Sequence, residues 1–268
     1  MLTIHAKPLV TKFMRELTGA PSAALLLDYD GTLAPFRVER DQAFPYAGVP
    51  GLIEDIMRNG STKVVLITGR RAGEVPPLLG VSPHPEIWGS YGLQQLTPDG
   101  KCQMRKLSER AEQALASAEY QAEALGFGNL TERKPGSLAV HWRGLKDSAA
   151  DYVRERVFSQ WLPIAEYSDM CLHDFDGGLE IRVLDANKGN AIRKFLARVN
   201  SKMPVAYLGD DLTDEDAFRA LKGRGLTVLV RPQWRETTAD VWLHPPAELM
   251  DFLSQWHVAC KAKTTAAH

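Results

Sequence analysis

Short, continuous apolar runs alternate with amphipathic stretches along much of the chain. The runs AALLL at 23–27 and KVVLI at 63–67 indicate strands that are covered on both faces. Residues 9–17 and the region around 50–59 have helical spacing. The same alternation returns from residue 187 onwards, with strands predicted in PVAYLGDD and LTVLVR. Strands separated by helices predict right-handed βαβ units and therefore a parallel sheet.

The middle of the chain has a different order of elements. Residues 108–125 are rich in Ala and Glu and predict a helix, which two short β-like stretches follow. The order helix, strand, strand is then repeated once. This pattern predicts a small α+β module at 101–178, inserted into an α/β domain that is formed by residues 1–100 and 179–268.

The composition excludes several classes of protein. At 268 residues and 44% hydrophobic, the chain can bury a full core, and its net charge of -1 attracts neither nucleic acid nor an anionic membrane. Cys102, Cys171 and Cys260 are far apart, which indicates a reducing compartment without structural disulfides. The N-terminal segment has scattered charges instead of an apolar block, so it resembles neither a signal peptide nor a membrane span. We expect a cytoplasmic monomer.

Polar side chains follow the predicted strands at the points where the strands end. The carboxyl ends of strands in an open parallel sheet are where ligands bind. AALLL is followed by the carboxylates Asp28 and Asp30, and KVVLI by the hydroxyl of Thr68. The strand that ends near Leu184 is followed by the ammonium of Lys188, and PVAYL by the carboxylates Asp210 and Asp211.

These groups suit a metal-assisted phosphoryl transfer. Asp28 can attack phosphorus as a nucleophile, but two like charges about 4 Å apart repel by roughly 4 kcal/mol, so opposing charge is needed. Mg²⁺ held by Asp28 and Asp210 supplies part of it and Lys188 the rest, while Thr68 donates a hydrogen bond to a phosphate oxygen. Asp30 can protonate the leaving alkoxide and then deprotonate the attacking water.

Each residue also has a structural explanation when it is taken alone. An Asp-Gly pair after a strand is a common turn, Thr68 can cap the next helix, and Lys188 can be a solvated side chain. Lys188, however, precedes a helix at the end where the dipole disfavours a cation, which favours a shared anion there. With Asp210 and Asp211 at the fourth strand end, polar groups follow four separate strands, and this combination favours the reaction centre.

Taken together, the segments resemble the haloacid dehalogenase (HAD) superfamily of phosphatases. The matching motifs are DYDGT, TGR, KG and GDDLTDED, which begin at Asp28, Thr68, Lys188 and Gly209. The resemblance implies a Rossmann-like parallel-sheet core with an inserted α+β cap. It makes Asp28 the nucleophile, Asp30 the general acid and base, and Thr68 and Lys188 phosphate ligands. It also implies a set of Mg²⁺ ligands: Asp28, the backbone carbonyl of Asp30, and Asp210, with Asp214 in support.

Within that superfamily, DYDGTLAPF and GDDLTDEDAF are similar to the trehalose-6-phosphate phosphatases. The resemblance implies Mg²⁺-dependent hydrolysis of trehalose 6-phosphate to trehalose and phosphate through an aspartyl-phosphate intermediate. A glutamate-lysine pair and a later glutamate in the cap then contact the sugar. The substrate-binding residues implied in this way are Arg70, Glu132, Lys134, His141, Arg143 and Glu180.

One segment departs from the family pattern. Many members carry Gly-x-His-Gly-Ala-Glu after the strand that follows the second motif, where this chain has Leu93 and Gln94 at the last two positions. This keeps other substrates open, namely sucrose phosphate, glucosylglycerol phosphate and mannosylphosphoglycerate. A phosphomutase and a non-catalytic sugar-phosphate sensor are two further alternatives, although no essential group is missing.

Overall fold

The computed structural model describes residues 6–37, 39–175 and 177–265. The chain forms two compact units, one up to Gln103 and from Asn187 onwards, the other from Met104 to Ala186. In chain order the helices are α1 Ala6–Gly19, α2 Val49–Arg58, α3 Val75–Leu79, α4 Glu109–Ala124, α5 Asp147–Glu166, α6 Lys188–Leu196, α7 Glu215–Leu221 and α8 Ala247–Thr265. The strands are β1 Ala23–Leu27, β2 Thr62–Ile67, β3 Glu86–Gly89, β4 Gln94–Leu96, β5 Cys102–Met104, β6 Thr131–Lys134, β7 Ser137–His141, β8 Met170–Phe175, β9 Gly178–Val183, β10 Val205–Gly209, β11 Leu226–Val230 and β12 Val241–Leu243.

The larger unit is built on a mostly parallel sheet with the strand order β12-β11-β10-β1-β2-β3-β4-β5. The strands from β12 to β3 are parallel to their neighbours, and β4 runs antiparallel to β3. The central strand β1 pairs with β10 on one side and with β2 on the other. This arrangement confirms the predicted α/β class with a parallel-sheet core.

Helices cover both faces of this sheet, which explains the continuous apolar run of β1. All five residues of β1 are buried. Leu25 and Leu27 belong to the core that α1, α2, α3 and α8 form on one face. Ala24 and Leu26 belong to the core that α6 and α7 form on the other face. A strand with helices on both sides buries successive side chains in opposite directions, so each of its positions is apolar.

The smaller unit has an antiparallel sheet with the strand order β6-β7-β9-β8, against which α4 and α5 pack. The two helices are joined by a hydrogen bond in which the buried indole of Trp161 donates to the carbonyl of Ala118 at 3.0 Å. Strand β9 alternates apolar residues, such as Leu179 and Ile181, with the charged Glu180 and Arg182. That alternation is typical of a sheet with one covered face and one polar face.

The position of β9 corrects part of the sequence interpretation. It pairs with β7 and β8, so residues 179–186, which the sequence pattern places in the α/β domain, belong to the smaller unit. The strand that precedes Lys188 therefore does not end at the edge of the parallel sheet. Instead, Lys188 begins helix α6, after Asn187, whose side-chain oxygen accepts a hydrogen bond from the amide of Asn190 at 2.8 Å. Residues 101–103, predicted in the inserted module, belong to the larger unit.

Within the described part of the chain, no helix combines the length and the apolar character that are needed to cross a bilayer.

Glu215 fixes the loop after β11 to the start of α7. Its carboxylate is buried and accepts hydrogen bonds from the hydroxyl of Thr237, the amide and hydroxyl of Thr238, and the guanidinium of Arg235. Burial raises the pKa of Glu215, but the hydrogen bonds from Thr238, Thr237 and Arg235 lower it by more, from 4.5 to about 2. The folded state therefore prefers the ionised form of Glu215.

We predict that Glu215→Gln removes a pH-dependent part of the stability. Because the pKa is depressed on folding, this contribution is complete above pH 4.5 and is lost as the pH falls towards about 2. Urea unfolding of both proteins should show a wild-type advantage that is constant near neutral pH and shrinks below pH 4.5. Glu54→Gln, at a surface ion pair with Arg58, is the control and should show no such trend. An advantage that stays constant down to the acid transition would contradict the prediction.

Candidate active site

The site is built around the carboxyl end of β1. Asp28 follows this strand directly, and its amide donates a hydrogen bond to the carbonyl of Leu208 in the neighbouring strand β10 at 2.9 Å. The Asp28 side chain is buried, and its Oδ1 atom lies 2.7 Å from the Nζ atom of Lys188. The first turn of α6 thus brings an ammonium to the nucleophile that we predicted.

Lys188 lies between two carboxylates. Its Nζ atom also donates to Oδ1 of Asp214 at 2.8 Å, and all three side chains are buried. Burial alone lowers the pKa of a lysine, but Asp214 and Asp28 raise the pKa of Lys188 above its ordinary value. Lys188 is therefore held in its charged form.

Asp214 accepts hydrogen bonds from four donors. Its Oδ1 atom accepts from Lys188 and from the hydroxyl of Tyr207, and its Oδ2 atom accepts from the amides of Asp210 at 3.0 Å and Asp211 at 2.9 Å. A carboxylate offers about four lone-pair positions, so these donors use all of them. Asp214 therefore holds both Lys188 and the backbone of Asp210 and Asp211 in place.

Tyr207 is a site residue that sequence reasoning missed. It lies within β10, is fully buried, and donates its hydroxyl proton to Asp214. Burial and the nearby charges of Asp214 and Asp28 raise the pKa of Tyr207 well above its ordinary value, so the hydroxyl remains a donor. The signal was available, because a tyrosine inside a buried strand needs a hydrogen-bond partner and the acidic motif begins soon after it.

The carboxylates of Asp28, Asp210 and Asp214 form one cluster, in which Asp28 and Asp210 can bind a divalent cation directly and Asp214, whose lone pairs are occupied, supports them. One oxygen from each lies within 4.8 Å of the others, and all three side chains are buried. Burial raises the pKa of Asp28 to about 7, with Lys188 opposing the shift and Asp214 adding to it. Burial, and then repulsion from Asp28 and Asp214, raises the pKa of Asp210 well above its ordinary value. One ammonium thus leaves negative charge uncompensated among hard oxygen donors, which is the environment that a hard divalent cation prefers.

Gly31 allows the turn after Asp28 to pass close to Asp210. It has a φ angle of +78°, in the left-handed region, and a Cβ atom at this position would lie 2.0 Å from Oδ2 of Asp210. Both the backbone conformation and the space therefore require glycine here. The glycine that suggested an ordinary turn is also what lets two carboxylate segments meet.

Asp30 forms a two-bond ion pair with Arg70. The guanidinium donates to the two carboxylate oxygens at 2.7 and 2.6 Å, and it also lies over the ring of Tyr29, with 5.5 Å between its central carbon and the ring centroid. We predicted Arg70 as a substrate ligand, whereas the structure engages it with Asp30. Each oxygen of Asp30 keeps a second lone pair, so the pair orients this carboxylate without using up its acceptor capacity.

Thr68 follows β2, which is adjacent to β1, and so lies at the same edge of the sheet. Its side chain is buried, and its hydroxyl oxygen accepts a hydrogen bond from the amide of Arg70 at 3.2 Å. Its own amide donates to the carbonyl of Trp88 at 3.0 Å. As a result, the hydroxyl is fixed beside the loop that carries Arg70.

The two residues that depart from the family pattern have structural contacts in the larger unit. The side-chain oxygen of Gln94 accepts hydrogen bonds from the amide of Ala72 at 3.1 Å and the hydroxyl of Ser90 at 3.4 Å. Leu93 is buried. Gln94 thus links the start of β4 to the loop that follows Thr68.

The smaller unit gathers most of the predicted sugar-binding residues on the polar face of its sheet. Glu132 and Glu180 both pair with Ala139, from the two strands that flank β7, so the three residues share one face. Oε2 of Glu132 lies 3.0 Å from Nε2 of His141 and 3.2 Å from Nζ of Lys134.

Two further contacts complete the description of this face. The hydroxyl of Ser137 donates to Oε1 of Glu180 at 2.7 Å, and both residues are buried. Arg143 lies beyond the end of β7 and is exposed. The structure therefore brings Glu132, Lys134, His141 and Glu180 together and leaves Arg143 outside the strand.

The larger unit has aspartates after β1 and β10 and a lysine at the start of α6, and the chain adds a separate α+β unit. These features together define a protein of the HAD superfamily. The trehalose-phosphatase family matches residues 26–240, and the chain belongs to this family. The predicted resemblance is thereby confirmed.

Individual relatives agree with this assignment. Trehalose-phosphate phosphatase B of Arabidopsis thaliana is 31% identical over 261 residues, which cover 90% of this chain and 67% of that protein. Trehalose-phosphate phosphatase of Mycobacterium avium is 31% identical over 245 residues, which cover 85% of this chain and 60% of that protein. The match to probable trehalose-phosphate phosphatase 4 of Oryza sativa covers 64% of that protein, so the chain spans roughly two thirds of the length of such relatives.

Solved structures support the fold. The trehalose-6-phosphate phosphatase of Aspergillus fumigatus superimposes with a TM-score of 0.69 at 22% identity, over 93% of this chain and 97% of that one. The C-terminal domain of the Candida albicans trehalose-6-phosphate phosphatase gives a TM-score of 0.72 at 18% identity, over 94% and 96% of the two chains. At these identities the likeness shows a shared fold.

We predict that Gly31→Ala disrupts the carboxylate cluster, because the added methyl group would occupy the position of the Asp210 side chain. Gly100→Ala is a matched control, since Gly100 has a φ angle of +83° with nothing within 4 Å of its Cβ position. Both variants should lose about 1–2 kcal/mol of stability from the left-handed backbone. Only Gly31→Ala should also lose divalent-metal binding by calorimetry. Equal metal binding by the two variants would show that the close approach to Asp210 has no role.

Proposed function

We propose that the protein is a Mg²⁺-dependent phosphatase that hydrolyses trehalose 6-phosphate to trehalose and phosphate. The observation that carries the proposal is the buried cluster of Asp28, Lys188, Asp210 and Asp214 in a chain of the trehalose-phosphatase family. Lys188 can attract an anion such as a phosphate group, and the carboxylate of Asp210, which no lysine pairs with in this cluster, can attract a cation. The cluster therefore suits an anion and a cation that bind together.

The first half of the reaction transfers the phosphoryl group to Asp28. An Asp28 oxygen attacks phosphorus, and the bond between phosphorus and the sugar oxygen breaks. Asp30, which carries the proton taken from water at the end of the preceding turnover, gives that proton to the sugar oxygen. Lys188 offsets the negative charge of the phosphoryl oxygens, and Thr68 donates a hydrogen bond to one of them. When bound, Mg²⁺ would supply positive charge that offsets the repulsion between Asp28 and the phosphate, and Asp28, the carbonyl of Asp30 and Asp210 would hold it.

The second half regenerates Asp28. Asp30, now a carboxylate, takes a proton from water as the water oxygen attacks phosphorus, and the bond to Asp28 breaks to release inorganic phosphate. Arg70 acts in both steps by orienting Asp30 through the two-bond ion pair. This differs from the substrate contact that the resemblance implied for Arg70.

We propose that the smaller unit serves as the cap and reads the sugar through its polar sheet face. Trehalose carries many hydroxyls and no charge, so charged donors and acceptors such as Glu132, Lys134 and Glu180 can bind it through strong hydrogen bonds. The clustering of these side chains with His141 on one face supports the proposal. The three widely separated cysteines support our further proposal that the protein acts in the cytoplasm, and we also propose that it acts as a monomer.

The substrate assignment can be tested by phosphate release. We predict that, across a panel of sugar phosphates with Mg²⁺, the protein prefers trehalose 6-phosphate and loses activity in EDTA. Asp28→Asn keeps the shape of the side chain but removes the nucleophile. It should still fold, because Asp214 continues to pair with Lys188, and it should release no phosphate above background.

The outcomes of this panel separate the alternatives. A preference for sucrose phosphate, glucosylglycerol phosphate or mannosylphosphoglycerate would keep the chemistry and replace the substrate. Isomerised sugar phosphate without net phosphate release would indicate a mutase. Binding without any turnover would indicate a sensor.

Lys134→Met tests the role of the polar sheet face. We predict that it lowers kcat/KM for trehalose 6-phosphate about tenfold or more, as expected for the loss of a charged hydrogen bond, and spares p-nitrophenyl phosphate, which has no sugar. Arg133→Gln is the matched control, because the neighbouring Arg133 pairs with Glu119 of α4 instead. Equal losses on the two substrates, or an equal effect of Arg133→Gln, would contradict a sugar-binding role for Lys134.

A further inference from the structure

Arg235, in the loop after β11, donates hydrogen bonds to the backbone that carries Asp210. Its Nε atom lies 3.3 Å from the carbonyl oxygen of Asp210, and one of its terminal nitrogens lies 2.7 Å from the carbonyl oxygen of Asp211. Arg231, from the same loop, donates a further hydrogen bond to the carbonyl of Asp210 at 3.4 Å. The loop thus contributes donors to the backbone beside the carboxylate cluster, from a strand end that sequence reasoning did not consider.

Arg235 and Asp214 bind the same two residues through complementary groups. Asp214 accepts hydrogen bonds from the amides of Asp210 and Asp211, and Arg235 donates to the carbonyls of both. An anion thus holds the two N–H groups and a cation holds the two C=O groups. Rotation of these residues would break at least one of these charge-assisted hydrogen bonds.

Arg235 is itself held firmly. Its guanidinium forms an ion pair with Glu215 at 2.5 Å and donates to the carbonyl of Glu236 at 2.8 Å, and only 15% of its side chain is exposed. Glu215 is in turn held by Thr237 and Thr238. The planar guanidinium can serve all these acceptors at once because its donors are fixed in one plane, and a lysine at the same place could not.

We propose that Arg235 is a positioning residue for the divalent-metal site: by fixing the backbone of Asp210 and Asp211, it keeps the Asp210 carboxylate directed at Asp28. The inference rests on the proposed function, since it assumes that this cluster binds Mg²⁺. Groups that orient metal ligands typically contribute about 10–100-fold to metal affinity. The lower end of that range is expected here, because Arg231 and Asp214 still hold the loop when Arg235 is replaced.

The sign of the effect separates positioning from charge. Arg235 repels a bound cation, so the loss of its charge alone would tighten Mg²⁺ binding. The loss of positioning weakens binding. A role in stability alone would lower the unfolding temperature and leave the Mg²⁺ affinity of the folded protein unchanged.

The test is calorimetric titration of Mg²⁺ into folded wild type, Arg235→Gln and Arg235→Lys. We expect Kd to rise about tenfold in Arg235→Gln and to rise in Arg235→Lys as well, because a lysine keeps the charge but not the paired donors. Saturating Mg²⁺ should restore most of kcat. Arg219→Gln is the control, since it removes the same charge from an exposed ion pair with Asp216 on α7, and its Kd should match wild type.

An unchanged or lower Kd in Arg235→Gln would overturn the proposal, and if that variant does not fold, an unchanged Kd in Arg235→Lys would do so. The proposed function can fail separately. A wild type that binds Mg²⁺ but releases no phosphate from any sugar phosphate would refute the phosphatase activity and leave the Arg235 comparison valid. A wild type that binds no Mg²⁺ would overturn both.

Discussion

The carboxylate cluster depends on one buried ion pair network, in which the ammonium of Lys188 lies between Asp28 and Asp214. Removing one partner of a buried pair typically costs about 3–5 kcal/mol, because the remaining charge stays buried and unpaired. Lys188 offsets part of the negative charge of Asp28 and Asp214, whereas the nearby carboxylate of Asp210 adds further negative charge. The same imbalance that makes the cluster costly in isolation makes it suited to a cation and a phosphate together.

Several elements of the larger unit cooperate to place this network. Neighbouring parallel strands β1 and β10 bring Asp28 and the loop of Asp210 to one edge, and the first turn of α6 brings Lys188 to them. The hydroxyl of Tyr207 and two backbone amides donate the remaining hydrogen bonds that Asp214 accepts. Close packing at Gly31 then lets the two carboxylate segments meet. The site is thus a product of strand order and of backbone hydrogen bonds, in addition to its acidic side chains.

Much of this could be predicted from the sequence, because local patterns carry it. A continuous apolar run followed by Asp28 and Asp30 indicates both a covered strand and a reactive strand end, and the fold confirms the strand. Contacts between distant segments gave weaker signals. The pairing of β9 with β7 places the end of the smaller unit later in the chain than the sequence pattern predicts. Arg235 contacts Asp210 from a loop with no recognisable motif. The sequence likewise gives no sign that Arg70, predicted as a substrate ligand, pairs with Asp30.

The proposed mechanism depends above all on Asp28 as the nucleophile. The most direct measurement is to quench the enzyme with acid during turnover of trehalose 6-phosphate and to locate the transferred phosphoryl group by peptide mass spectrometry. We predict that the phosphoryl group is found on Asp28 and that Asp28→Asn carries none. A phosphoryl group on a different side chain, or a labelled Asp28→Asn protein, would contradict the mechanism.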